Sequence, residues 1–123
     1  SSSGNFDNTN LSLLKSKIKK LKLNNIVLVK GDYTKTIPKF FKNNKTKISA
    51  VNIDCDLYMS YKIVLNNIYP NLNKNAYVHL DEYYSFKFPG AKIACNEFFT
   101  EFKIKPKKNK TGLKEFERWY FTT

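Results

Sequence analysis

Short apolar runs rich in β-branched residues recur along this chain with helix-spaced segments between them, and that alternation constrains the fold more than any other feature. The runs are Ile26-Val27-Leu28-Val29, Ile48 to Cys55, and Ala76 to Leu80. Continuous apolar runs of this length mark strands covered on both faces. Before the first run, Leu11, Leu14, Ile18 and Leu21 follow Asn10 at helical spacing, so residues 10–22 read as an amphipathic helix stopped by Asn24-Asn25. Residues 36–43 form a short helix, with Pro38 tolerated in its first turn. Ser60 to Leu72 places Ile63, Val64, Ile68 and Leu72 on a helical face, and Asn73-Lys74-Asn75 is a turn. Pro89-Gly90 starts a helix through Phe102 with Ile93, Ala94, Phe98 and Phe102 on one side. Glu115 to Thr122 then alternates at period two, as an antiparallel strand does. The order α-β-α-β-α-β-α-loop-β predicts one α/β domain over residues 1–123, a mainly parallel sheet with helices on both faces and an antiparallel C-terminal edge strand.

Composition removes several function classes. No apolar run approaches the length of a membrane-spanning helix. Ser1-Ser2-Ser3-Gly4 has neither the charge nor the apolar stretch of a signal peptide, and with no initiator Met it reads as the torn end of a loop or an added scar. Cys55 and Cys95 are the only cysteines and His79 the only histidine, so neither a disulfide framework nor a thiolate or multi-histidine metal site is indicated. A reducing cytoplasm is the default. The formal charge of +12 invites a nucleic-acid partner. The lysines, however, are spread along the whole chain among many asparagines, and the cluster from Lys103 to Lys110 around Pro106 reads as a solvated loop. Nucleic acid and membrane are therefore not expected as partners.

In an open α/β sheet, ligands sit outside the carboxyl ends of the strands. Those ends carry Gly31-Asp32-Tyr33, Asp54-Cys55-Asp56 and Asp81-Glu82, so five of the chain's ten acidic residues fall at three successive strand ends. Converging carboxylates repel one another and hold protons more tightly unless a cation neutralises them. Oxygen donors without histidine or cysteine favour a hard ion, Mg²⁺, Ca²⁺ or Mn²⁺. Taken singly, Asp54 or Asp81 serves equally well as a helix cap, and Asp32 as a turn former.

Four blocks in order resemble one family. They are Asp54-Cys55-Asp56-Leu57-Tyr58-Met59-Ser60, Ile68-Tyr69-Pro70-Asn71-Leu72, Val78-His79-Leu80-Asp81-Glu82-Tyr83 and Phe88-Pro89-Gly90-Ala91. Together with Gly31 to Pro38 upstream, they are similar to the macrocin O-methyltransferase (TylF-type) family, over about residues 25–102. The resemblance implies a Rossmann-like class I methyltransferase fold, S-adenosylmethionine as methyl donor, a divalent cation (usually Mg²⁺) and a hydroxyl acceptor on a sugar or related natural product. Carried over by position, Asp54, Asp81 and Glu82 match the metal-binding carboxylates and Asp56 the general base. Asp32 falls where this fold class often contacts the adenine amine, which makes Gly31, Asp32 and Tyr33 the candidate cofactor contacts. Tyr58, Tyr83 and Tyr84 are candidates either for the acceptor pocket or for ordinary packing. The chain departs from the family pattern at Glu82, usually Asp, and at Lys35.

The Gly-rich turn that opens such a cofactor site is absent from these residues, and the chain holds only four glycines. The expectation is therefore the C-terminal part of a methyltransferase domain. Its first strand would have an unpaired apolar edge able to drive homo-oligomerisation. The alternative from another class is a noncatalytic, cation-binding α/β assembly module.

Overall fold

The computed structural model describes residues 11–84, 87, 89–109 and 117–123. The chain divides into two compact units, Ser1–Lys30 and Gly31–Thr123. In the first unit, α1 spans Leu11–Lys20. Its stop comes earlier than Asn24-Asn25: Lys22 takes a left-handed conformation (φ 56°), and the N–H groups of Lys22 and Leu23 close back on the carbonyls of Lys19 and Ile18. That is the usual paired-bond helix terminus with lysine where glycine is commonest. Asn10, expected as the cap, lies outside the described residues.

The expected first strand is not one. Ile26 to Val29 pair with no strand among the described residues, and all four are exposed, Val27 most of all at 78%. A strand needs a ladder partner to satisfy its backbone, and the apolar pattern alone does not supply one.

In the second unit, the elements are α2 (Tyr33–Asn43), β1 (Ile48–Ile53), α3 (Tyr58–Ile68), a 3₁₀ turn (Tyr69–Asn71), β2 (Leu72–Leu80), α4 (Pro89–Phe102), β3 (Lys107–Asn109) and β4 (Arg118–Thr122). The sheet order is β1-β2-β4-β3. Only β1 and β2 run parallel, while β2–β4 and β4–β3 are antiparallel. The sheet is thus mixed, which corrects the expectation of a mainly parallel one. The correction has two sources: Ile26–Val29 does not join, and part of the basic Lys103–Lys110 stretch, read as loop, pairs with β4 as β3. Of the expected last strand, Glu115 and Phe116 lie outside the described residues.

Local chemistry explains the other boundary shifts. Helix α2 begins three residues before the expected start because Asp32 caps it, accepting from the Thr34 N–H at 2.9 Å, so Pro38 falls inside the helix rather than in its first turn. The helix expected through Leu72 ends at Ile68, and Pro70 sits at the start of the 3₁₀ turn that follows. Asn73-Lys74-Asn75 is not a turn. The pairing of β1 with β2 slips between Ile48 and Ala50, and Asn75 adopts φ 64°, so the segment is a bulged part of a longer strand.

The core lies between one sheet face and the pair α3 and α4, with Tyr61, Leu65, Val78, Leu80, Cys95 and Phe121 fully buried. Helix α4 buries Ala91, Ala94, Cys95, Phe98 and Phe99, whereas Ile93 and Phe102 of the expected face are 53% and 37% exposed. Gly90 lets this helix start close against α3, since a Cβ there would lie 3.0 Å from the Tyr58 backbone nitrogen. None of the helices among the described residues is long and apolar enough to cross a membrane.

Candidate active site

The ends of β1 and β2 bring the acidic residues together. Strand β1 stops at Ile53, so Asp54 to Asp56 lie in the turn into α3, while Asp81 and Glu82 follow Leu80 directly. The two ends are tied by the Asp81 N–H donating to the Ile53 carbonyl at 3.0 Å. Asp54, Asp56 and Glu82 each offer a carboxylate oxygen, all within 4.8 Å of one another. Asp81 adjoins this trio, within hydrogen-bond range of both Asp54 and Glu82 when one of a pair is protonated. One Asp81 oxygen also lies 3.6 Å from His79 Nε2. The sequence grouped Asp54, Asp81 and Glu82; the set of three whose oxygens all lie within 4.8 Å of one another has Asp56 in place of Asp81.

Proton affinities reflect the crowding. Partial desolvation, the hydrogen bond that protonated Glu82 donates to the Asp81 carboxylate, and repulsion from Asp81, Asp56 and Asp54 push Glu82 up to about 7. Asp54 is raised too, by desolvation first and then by its hydrogen bond to Asp81 and repulsion from Asp81 and Asp56, opposed by His79. The donor set is all oxygen, and ligands of one octahedral Mg²⁺ shell stand about 3–4 Å apart, so the carboxylates fit a small hard cation after slight contraction.

Gly31, Asp32 and Tyr33 stand at the start of α2. Gly31 has φ 136°, and a Cβ there would meet the Thr36 methyl at 2.5 Å, so the position demands glycine. The Asp32 carboxylate caps α2 through the amide and hydroxyl of Thr34, which hold its pKa below the usual carboxylate value. Tyr58 and Tyr83 take packing roles. Tyr58 donates to Glu97 at 2.7 Å, and Tyr83 donates to Asn96 at 2.7 Å with its ring against Phe99 and Trp119. Tyr84 instead lines a cavity of about 600 Å³ together with Asn52, His79, Asp81 and Arg118. The cavity is centred away from the carboxylate trio: of the four clustered acids, only Asp81 borders it.

Tyr61 was not singled out by the sequence. It is fully buried, its hydroxyl donates to the Ile53 carbonyl at 3.2 Å, and it accepts from the Glu82 N–H at 3.2 Å. The available signal was a phenol within the otherwise aliphatic buried stripe Tyr61, Val64, Leu65 and Ile68.

This α/β architecture is shared with O-methyltransferases of known structure. CalS11, a TDP-rhamnose 3'-O-methyltransferase of calicheamicin biosynthesis, superposes with a TM-score of 0.77 at 28% identity, over 90% of this chain and 50% of its own. The O-methyltransferase NovP shares the fold, with a TM-score of 0.75 at 22% identity, over 93% of this chain and 45% of its own. The chain thus spans about half the length of these enzymes. No curated protein matches it at the sequence level. Residues 11–115 match the macrocin O-methyltransferase (TylF) family model, and the chain belongs to that family.

Proposed function

We propose that this chain is the acceptor- and metal-binding, C-terminal part of a single methyltransferase domain that transfers a methyl group from S-adenosylmethionine to a hydroxyl of a sugar or glycosylated natural product. The observation carrying this reading is the convergence of Asp54, Asp56 and Glu82, with Asp81 beside them, in a member of an O-methyltransferase family. The relation to a sugar-modifying enzyme, CalS11, supports the acceptor class. Asp54, Asp81 and Glu82 would hold the cation, Mg²⁺ or another hard divalent ion. Such an ion, when bound, supplies positive charge that favours the alkoxide character of the acceptor oxygen. Asp56 takes the hydroxyl proton as the new O–C bond forms and the S–C bond breaks. Gly31, Asp32 and Tyr33 contact the cofactor, with the remaining contacts supplied by a Gly-rich segment outside these residues. Two buried thiols, Cys55 and Cys95, suit a reducing cytoplasm, and the exposed Ile26–Val29 offers a surface for self-association.

The closeness of Asp56 to both Asp54 and Glu82 favours one competing assignment, in which Asp56 is a ligand rather than the base. Turnover of the full-length protein measured against Mg²⁺ separates the two. Asp54→Asn should raise the Mg²⁺ requirement with partial rescue at high metal. Asp56→Asn should keep metal affinity and lose turnover by about 10²–10⁴-fold. Equal metal-dependent behaviour of the two variants would make Asp56 a ligand, and absence of turnover with S-adenosylmethionine and any hydroxyl acceptor would favour the noncatalytic module.

A further inference from the structure

Holding several carboxylates together requires the backbone beneath them to resist their repulsion. At this site the two strand ends are joined by more than the sheet ladder. The Ile53 carbonyl, one residue before Asp54, accepts from the Asp81 N–H at 3.0 Å and from the Tyr61 hydroxyl at 3.2 Å. The same hydroxyl accepts from the Glu82 N–H at 3.2 Å, so one side chain of α3 spans from the end of β1 to the residue that carries the raised carboxylate. A phenylalanine would fill the same space. Burying a hydroxyl is unfavourable unless its bonds are made, and here the phenol both donates and accepts. Complete burial also keeps the phenol protonated, and therefore a donor, far above any physiological pH.

We propose that Tyr61 is a positioning residue for the carboxylate site: its hydroxyl clamps the Glu82 backbone to the end of β1 and so keeps the Glu82 carboxylate in range of Asp54 and Asp56. The proposal rests on the reading of these carboxylates as a cation site. Groups that orient metal ligands without touching the metal commonly govern affinity by about 10–100-fold. Thr123 provides a matched comparison at the far end of β2, where its hydroxyl donates to the Asn73 carbonyl at 2.6 Å and accepts from the Ala76 N–H at 2.9 Å.

The test measures Mn²⁺ affinity by electron paramagnetic resonance, and Glu82 amide exchange by NMR, in the full-length protein and in Tyr61→Phe and Thr123→Val. The expected result is at least tenfold weaker Mn²⁺ binding and faster Glu82 exchange in Tyr61→Phe, with Thr123→Val within about twofold of the parent. Tyr61→Phe binding Mn²⁺ as the parent does, or both variants weakening alike, overturns the positioning role. A Glu82 amide that exchanges in the parent at the rate of a free peptide also overturns it, whether or not the variant folds. A parent that binds no Mn²⁺ and is unchanged by Asp54→Asn overturns the cation reading itself, and with it the claim that Tyr61 positions a ligand.

Discussion

If the carboxylates form a cation site, metal and protons must compete for Glu82, and stability should report it. Glu82 sits at about 7 against an ordinary 4.5, so the folded chain holds this proton more tightly than the unfolded chain. Metal-free stability should therefore fall as pH rises from about 4.5 to about 7, because the unfolded state binds fewer protons than the folded one across that window. Asp54 is shifted in the same direction and adds to the trend. A cation that must displace the Glu82 proton binds about 100-fold more weakly at pH 5 than its limiting affinity, and only about twofold more weakly at pH 7. At Mg²⁺ ten times the limiting Kd, the stabilisation is then about 1.4 kcal/mol at pH 8 and under about 0.1 kcal/mol at pH 5. For a chain of 123 residues, the larger figure is worth about 5 °C in Tm. Added salt screens part of the repulsion between carboxylates, so the contrast between pH 5 and pH 8 is a ceiling. Thermal unfolding from pH 5 to pH 8, with and without Mg²⁺, reads the effect directly. A Tm gain that does not change with pH, or one that survives Asp54→Asn, would refute the reasoning.

Two substitutions test the fold beneath the site. Asp32→Ala removes the side-chain cap of α2 and should lower Tm by about 4 °C, about 1 kcal/mol, with Asp32→Asn nearly neutral; an unchanged Tm for the alanine variant would remove the capping account. Phe121, fully buried and edge-packed against Phe99, should cost about 3–5 kcal/mol as Phe121→Ala in denaturant unfolding, and a loss below about 1 kcal/mol would mean that the core is not organised around it.

The strands and helices around the site were legible because their signals are local. The β-branched run at Ile48, the helical spacing after Ser60 and the period-two pattern at the C-terminus each became an element of the expected type. Two kinds of error remained, both physical. Element ends depend on single residues in unusual conformations: Lys22 and Lys103 both take positive φ at helix ends, and lysine carries no signature for that role. Sheet membership depends on a partner. Ile26–Val29 has the composition of a buried strand and joins none among the described residues, whereas Lys107–Asn109, wholly polar, pairs with β4 because the antiparallel neighbour is there. On α4, Ala94 and Phe98 of the expected face are buried, but Ile93 and Phe102 were misjudged for a related reason. Ala91, Ala94, Cys95, Phe98 and Phe99 also fit helical spacing, and small residues at the packed positions gave that face little hydrophobic weight against Ile93 and Phe102.

The acidic cluster was legible to a greater depth than the fold because acids at successive strand ends stand out in so basic a chain. Asp54, Asp56, Asp81 and Glu82 were readable as strand-end acids, and the structure brings all four into one neighbourhood. What a linear reading could not rank was the distance between them. Once β1 ends at Ile53, alternation along a strand no longer governs where Asp54 and Asp56 point, and the turn into α3 draws Asp56 into the trio while Asp81 gains His79 as a neighbour. Nor could it reveal the scaffold beneath, because Tyr61 lies on a helical stripe otherwise made of core residues and acts through backbone groups that carry no sequence identity. A search for chemistry finds the carboxylates, and only the hydrogen bonds show what holds them: the Ile53 carbonyl receives two donors, and a single phenol joins both strand ends. Buried tyrosines on otherwise aliphatic helix faces next to paired strand ends are therefore worth examining in related chains, because their hydroxyl has to be satisfied and the free groups nearest to hand are the backbone ends that carry the site.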